Sequence, residues 1–284
     1  MCADDYGLAP GIGTAIRHLL RERRLTATSC MTVSPFWPSE GAALRELGER
    51  ADFGLHLTLT DQRPLGSLPR LAPDGRLPSL RRVAERAYLG RLDRQEVAAE
   101  IELQVDRFVE VMGATPAFLD GHQHAHQLPI VRDAVIDIFR RRLAGSYLRL
   151  CTEPLADLWR RRIAWAPAAA ISLMGRGLRR RARAAGIPGN ASFRGARTFA
   201  EPLPFASLFP RFLAGAASGS LVMCHPGLVD PELVAVDSLT HPREEEYRYL
   251  LSDAYLDDLR EAGVRLARFA EIYPRSRTTS EGRR

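Results

Sequence analysis

Leu221-Val222-Met223-Cys224-His225-Pro226 is an apolar run that stops abruptly on a histidine and a proline. A short apolar run bounded by a turn residue reads as a strand buried on both faces, as in a parallel sheet covered by helices. Outward from this stretch the arrangement repeats. Strand-like runs occupy Thr28–Val33, Phe53–Thr58, Ala117–Asp120, Tyr147–Leu150 and Val264–Ala267. Longer amphipathic stretches separate them. Pro10–Arg23 sets Ile12, Ile16, Leu19 and Leu20 at helical spacing behind a first-turn proline. Glu96–Met112 does the same with Val97, Ile101, Val105, Phe108 and Val109, and Leu128–Arg142 and Glu244–Ala262 follow suit. The βαβα order predicts an α/β fold, and the 284 residues suit one barrel-sized domain. Residues 1–275 are expected to form it, with 276–284 a disordered tail. Arg63–Pro78, rich in Pro, Gly and Leu, reads as a long functional loop.

Composition narrows the function classes. The formal charge is +6, yet every basic residue is arginine, which points to codon usage in a GC-rich genome more than to selection for phosphate contacts. The dense basic segment runs through Arg160, Arg161, Arg162, Arg176, Arg179, Arg180, Arg181 and Arg183. Its plain reading is the solvated face of a helix; the sharper one is a surface for an anionic partner such as a membrane. Only Trp159 and Trp165 interleave with it, so no nucleic-acid platform is expected. The apolar run Ile163–Met174 contains Pro167 and is too short to span a bilayer. Asp4 and Asp5 precede any apolar stretch, which argues against a secretory signal. Cys2, Cys30, Cys151 and Cys224 lie far apart and form no CxxC pair. A cytoplasmic location follows as the expectation. A homodimer is left open.

In parallel α/β sheets reactive groups gather at the carboxyl ends of strands. Four blocks obey that rule: Asp4-Asp5-Tyr6-Gly7-Leu8, Gly54-Leu55-His56-Leu57-Thr58, Asp120-Gly121-His122-Gln123-His124-Ala125-His126, and His225 after its strand. Read singly, the Asp pair is a solvated turn or helix cap and His56 a core residue. Three histidines at spacing two would share one face if extended, and Asp120 has the parity to orient one of them. His225 suits a general acid. Together the blocks fit metal-assisted hydrolysis, with one carboxylate on a metal and the other as general base.

These blocks, in this order and spacing, resemble the signature of the YdjC-like carbohydrate deacetylases, also called the ChbG/HpnK group, over essentially the whole chain. The resemblance implies a modified (βα) barrel, a bound divalent metal and removal of acetyl groups from N-acetylated sugars such as chitooligosaccharides. On that pattern Asp5, His56 and His122 would bind the metal, Asp4 would be the base and His225 the acid. Asp120, His124, His126 and Arg243 would support these groups or contact substrate. The family favours magnesium, whereas two imidazoles and a carboxylate favour zinc.

Three further expectations follow. The family carries an aliphatic strand before its Asp pair, whereas this sequence opens Met1-Cys2-Ala3; the first strand is therefore expected to be missing, through a misplaced start codon or a truncated sequence. Hopanoid-associated members of the same group imply an alternative substrate, a membrane-borne glycolipid. An alternative of another class is a metal-binding protein without catalysis, against which stand Asp4 and His225, since binding needs neither a base nor an acid.

Overall fold

In the computed structural model, which describes residues 1–161, 163–198 and 203–273, the apolar runs become strands of one parallel sheet. They are β1 (Cys2–Tyr6), β2 (Ala27–Cys30), β3 (Asp52–Leu57), β4 (Phe118–Gly121), β5 (Tyr147–Leu148), β6 (Ser192–Arg194) and β7 (Ser220–Cys224), in the order β5-β4-β3-β2-β1-β7-β6. Helices alternate with them: α1 (Pro10–Arg21), α2 (Trp37–Arg45), α3 (Leu80–Tyr88), α4 (Arg94–Met112), α5 (Val131–Arg142), α6 (Leu155–Arg161) and α7 (Trp165–Ala184). After β6 come α8 (Phe205–Leu213), and after β7 come α9 (Pro231–Val236), α10 (His241–Leu251), α11 (Asp253–Glu261) and α12 (Phe269–Ile272). Arg162 and the expected tail at 276–284 lie outside the described residues.

The period-two alternation of strand side chains divides the core in two. Ala3, Leu55, Leu57, Leu119, Leu148, Val222 and Cys224 pack with the helices. Their neighbours Cys2, Ala27, Phe118, Tyr147, Phe193, Leu221 and Met223 form a separate cluster on the inner side. At its base Phe118, Tyr147 and Phe269 stack at centroid distances of 5.0 and 3.9 Å. The Phe118 ring lies 2.4 Å from where a Cβ on Gly54 would stand, so β3 carries glycine there.

The two edge strands approach one another. Leu148 bridges Gly189, just ahead of β6, and its amide donates to the Pro188 carbonyl at 2.9 Å. One residue on, the Asn190 side chain acts as a strand surrogate: its oxygen accepts from the Leu150 amide at 2.8 Å, and its Nδ2 donates to the carbonyls of Leu150 and Ser192 at 3.0 and 2.7 Å. Phe193 N–H then reaches the Thr152 carbonyl at 3.1 Å. The sheet is thus a curled, nearly closed (βα) barrel.

Several expectations need correction. The first strand is present: Cys2–Tyr6 is β1, paired with β2 on one side and β7 on the other. Small Cys2 and Ala3 suffice there because a central strand is held mainly by its ladders. Val264–Ala267 joins no strand; the chain passes the start of β3, where Asp52 accepts from the Phe269 amide at 2.9 Å. Glu244–Ala262 is broken at Ser252, whose hydroxyl caps α11 at the Tyr255 amide. The short strand β6, Ser192–Arg194, has only Phe193 as a large apolar residue and escaped periodicity altogether.

Asn190→Ala is expected to cost roughly 1–3 kcal/mol, because it strips partners from the buried backbone of Leu150. A urea melt with an unchanged m-value would record it.

Candidate active site

Two consecutive carboxylates can meet in one place only where the strand stops alternating. β1 does so at its end: the pairing with β2 shifts register between Ala3 and Tyr6, and Asp5 adopts φ 65°, in the left-handed region. Such a conformation is costly for a non-glycine residue and is kept where the surroundings over-determine it. Asp4 and Asp5 are both buried, and both line a cleft of about 520 Å³ at the carboxyl ends of the strands.

Strand register builds the next part. His56 on β3 stands directly opposite Asp120 on β4. Its Nδ1 lies 2.6 Å from Asp120 Oδ1, and Ser29 on β2 also hydrogen-bonds this carboxylate and ring. With Nδ1 held by a carboxylate, Nε2 is the free donor atom of the ring, and it faces Asp5 Oδ1 at 3.3 Å. His122 Nδ1 approaches the same oxygen to 3.0 Å, and the two imidazoles stand edge to face at 5.5 Å. The second oxygen of Asp5 accepts from Arg243 Nη2 at 2.7 Å, and Arg243 also pairs with Asp237 at 2.7 Å. Burial opposes charge on Asp5, but the Arg243 guanidinium and the two histidines hold it well below the usual carboxylate range. Burial also works against a charged His56, but Asp120, with Asp5 and Asp4, pushes it up to about 10, so a cation at Nε2 would have to displace a proton.

Beneath these groups lies a residue that the sequence reading missed. Arg149, fully buried, donates Nη1 to Asp4 Oδ2 at 2.7 Å and Nη2 to Asp4 Oδ1 at 2.6 Å. Nη2 is also 2.7 Å from Asp120 Oδ2 and 2.9 Å from Cys2 Sγ. Cys2, Asp4 and Asp120 converge closely enough to hold a metal, but the guanidinium occupies that position. Burial alone would raise Asp4; Arg149 outweighs it and brings the carboxyl down to about 2. A clue was legible: Leu148-Arg149-Leu150 places one arginine inside an apolar run.

The histidine-rich block is not extended. Residues His122–Gln127 form a short 3-10 turn in which Gln123 and His124 have φ of 50° and 60°, so the three rings diverge. His122 and His124 line the cleft, and the His124 ring meets Phe193 edge to face at 5.4 Å. His126 turns inward, its Nε2 3.1 Å from the Arg149 carbonyl, and burial lowers it to about 4. His225 lines the cleft opposite, its own amide donating to Glu246 at 2.5 Å. Of the expected residues, Asp4, Asp5, His56, His122, His124, His225 and Arg243 therefore share the cleft, whereas Asp120 and His126 stand behind it.

Asp5, His56 and His122 each present one donor atom, all within 4.8 Å of one another. An ion about 2.1 Å from each donor needs neighbouring donors roughly 3–3.4 Å apart. The separations of 3.0 and 3.3 Å from Asp5 Oδ1 match, so these three residues fit a divalent cation.

Removing the guanidinium should expose its role. Arg149→Met leaves Asp4 and Asp120 buried without their shared counter-charge, and a loss of ~3–5 kcal/mol in chemical denaturation is expected. The sign with pH follows from a depressed carboxyl. In the unaltered protein the Asp4 contribution is complete above pH ~4 and disappears as pH falls toward the folded value of about 2. The variant should lose that acid-side slope.

The chain is similar to known proteins over most of its length. A chitooligosaccharide deacetylase of Klebsiella pneumoniae (strain 342) is 27% identical over 270 residues, covering 95% of this chain and 97% of its own. One from Yersinia pestis (strain Pestoides F) is 27% identical over 280 residues, covering 95% and 96%. Among solved structures, a candidate cellobiose-phosphate cleavage protein of Enterococcus faecalis V583 superposes with a TM-score of 0.70 at 17% identity, covering 95% of this chain and 97% of that one, which supports the fold. The sequence profile of YdjC-like proteins matches residues 1–261, and the chain belongs to the YdjC-like family.

Proposed function

We propose that the cleft is the active site of a metal-dependent carbohydrate deacetylase that hydrolyses the acetamide of an N-acetylated amino sugar. The observation that carries this reading is the cleft's three-part chemistry. It presents a two-histidine, one-carboxylate cluster, a second carboxylate held apart by its own arginine, and a histidine on a different strand end. The names of the Klebsiella and Yersinia relatives support the same reaction class.

Asp5, His56 and His122 would hold the ion, and their two imidazoles favour zinc or a similar transition metal over magnesium, which prefers oxygen donors. When bound, the ion polarises the acetyl carbonyl and makes water a better nucleophile. Asp120 keeps His56 in the tautomer that offers Nε2, and Arg243 orients Asp5. Asp4, kept ionised by Arg149, accepts the proton of the attacking water as the new C–O bond forms. His225 then delivers a proton to the sugar nitrogen as the C–N bond breaks, leaving acetate and a free amine. With its carboxyl at about 2, Asp4 is a weak base in bulk terms. Its value lies in two oxygens fixed in place and always ionised.

His56→Ala and His122→Ala are each expected to abolish stoichiometric metal binding, measured by elemental analysis after dialysis, while circular dichroism stays native. Full metal content in both would remove the ligand assignment.

Asp4→Asn and His225→Ala should retain the metal and lose ~100-fold or more in acetate release from N-acetylated oligosaccharides, the usual scale for proton-transfer groups. Unchanged rates in both would remove the proton-transfer assignment, metal lost from Asp4→Asn and retained in Asp5→Asn would reverse the roles of the carboxylates, and no acetate release from the unaltered protein would favour a binding protein without catalysis.

A further inference from the structure

Helix α7 contributes Ile171 to the wall of the cleft and turns another face to solvent. That face changes character along its length. Trp165, Ala166, Ala170 and Leu173 are exposed in its first half, and Arg176, Arg180 and Arg183 in its second. Helix α6, packed against it, exposes Leu155 and Trp159. Leu155, Trp159, Trp165 and Leu173 are 58%, 72%, 59% and 63% exposed. Single exposed apolar residues are ordinary, but two indoles and two leucines on one helix pair mark a contact surface.

The charges say what kind of surface meets it. No acidic residue occurs from Leu158 to Ala184. Some arginines there serve the fold, Arg161 pairing with Glu153, Arg179 with the Ala191 carbonyl and Arg181 with Asp133. Arg176, Arg180 and Arg183 have no ion pair or hydrogen bond among the described residues. A second copy of the chain would bring like charges together, whereas an anionic phospholipid surface complements them. Indole rings, at home between apolar and aqueous phases, fit the headgroup region. Among the described residues no helix is long and apolar enough to cross a membrane, so the contact would be peripheral.

We propose that the α6–α7 face docks the protein on bilayers rich in anionic phospholipid, with Trp159, Trp165, Leu155 and Leu173 entering the headgroup layer and Arg176, Arg180 and Arg183 meeting lipid phosphates. Docking itself does not depend on the deacetylase reading. Where that reading holds, Ile171 on the same helix brings the mouth of the cleft near the lipid, and the sugar acted on is one displayed at the bilayer surface.

The full chain is mixed with vesicles of phosphatidylcholine alone and with vesicles in which phosphatidylglycerol replaces part of it, and co-sedimentation and tryptophan emission are recorded. Trp37 is fully buried and supplies a constant background, so a blue shift reports Trp159 and Trp165. Binding and a blue shift are expected with phosphatidylglycerol, weakening as salt is added. Trp159→Ser with Trp165→Ser should abolish the shift and most of the binding. Arg176→Glu with Arg180→Glu should weaken partitioning at least ~10-fold. All variants should keep a native circular dichroism spectrum and unchanged acetate release from soluble oligosaccharides, which separates this test from that of the active site. Binding to neither vesicle, equal binding to both, or a concentration-dependent dimer abolished by the tryptophan substitutions would each overturn the proposal.

Discussion

A guanidinium out of reach of solvent sits at the centre of the barrel, and the positions of the polar groups of the cleft descend from it. Arg149 cannot shed its charge, so it requires acceptors within the sheet. Asp4 and the Cys2 sulfur supply them from β1, and Asp120 from β4. Burial pushes the Cys2 thiol up, so it remains neutral beside the cation. From Arg149 a chain of opposite partners runs upward: Asp120 to His56, His56 to Asp5, Asp5 to Arg243, Arg243 to Asp237. Each member fixes the orientation of the next. Buried ion pairs of this kind contribute little net stability against an apolar replacement of the same shape. What this one contributes is direction, since a carboxylate gripped at both oxygens has one orientation to present.

The backbone is irregular where that chain needs it. Asp5, Gln123 and His124 all take positive φ. Without the turn at Asp5, consecutive carboxylates would face opposite sides of β1. Without the turn at Gln123 and His124, three histidines would line one face instead of dividing between the cleft and the layer beneath. Local strain at these points is offset by the hydrogen bonds and ion pairs that hold the side chains. The barrel supports this by being nearly closed: the Asn190 amide spans the gap between β5 and β6, immediately beside Arg149 in the chain partner it binds, Leu150.

Much of this was legible in the amino-acid sequence because it depends on short-range patterns. Apolar runs ending in His56, Asp120 and His225 announce strands and place their polar ends on one rim, since parallel strands covered by helices must be apolar throughout and release polar groups only where they stop. The helices α1 and α4 follow from the spacing of Ile12, Ile16, Val97 and Ile101. Where the pattern is weak, it misleads. Val264–Ala267 has the apolar content of a strand but no neighbouring ladder, and Ser192–Arg194 has the ladder but little apolar content. The same applies to β1, whose strand character comes from hydrogen bonds to β2 and β7 rather than from Cys2 and Ala3.

The sequence by itself therefore determined the α/β class, the rim on which the reactive side chains gather, and the residue types available for metal and proton chemistry. Tertiary structure alone decided which of them meet. His56 faces Asp120 through strand register, His122 and not His126 reaches Asp5 through a left-handed turn, and the Arg149 guanidinium occupies the site between Asp4, Asp120 and Cys2. Those choices rest on contacts between residues up to 147 apart in the chain. A period of 2 or 3.6 residues carries no information about such distances, because pairing across a sheet is settled only when the barrel closes and every buried charge must find its partner.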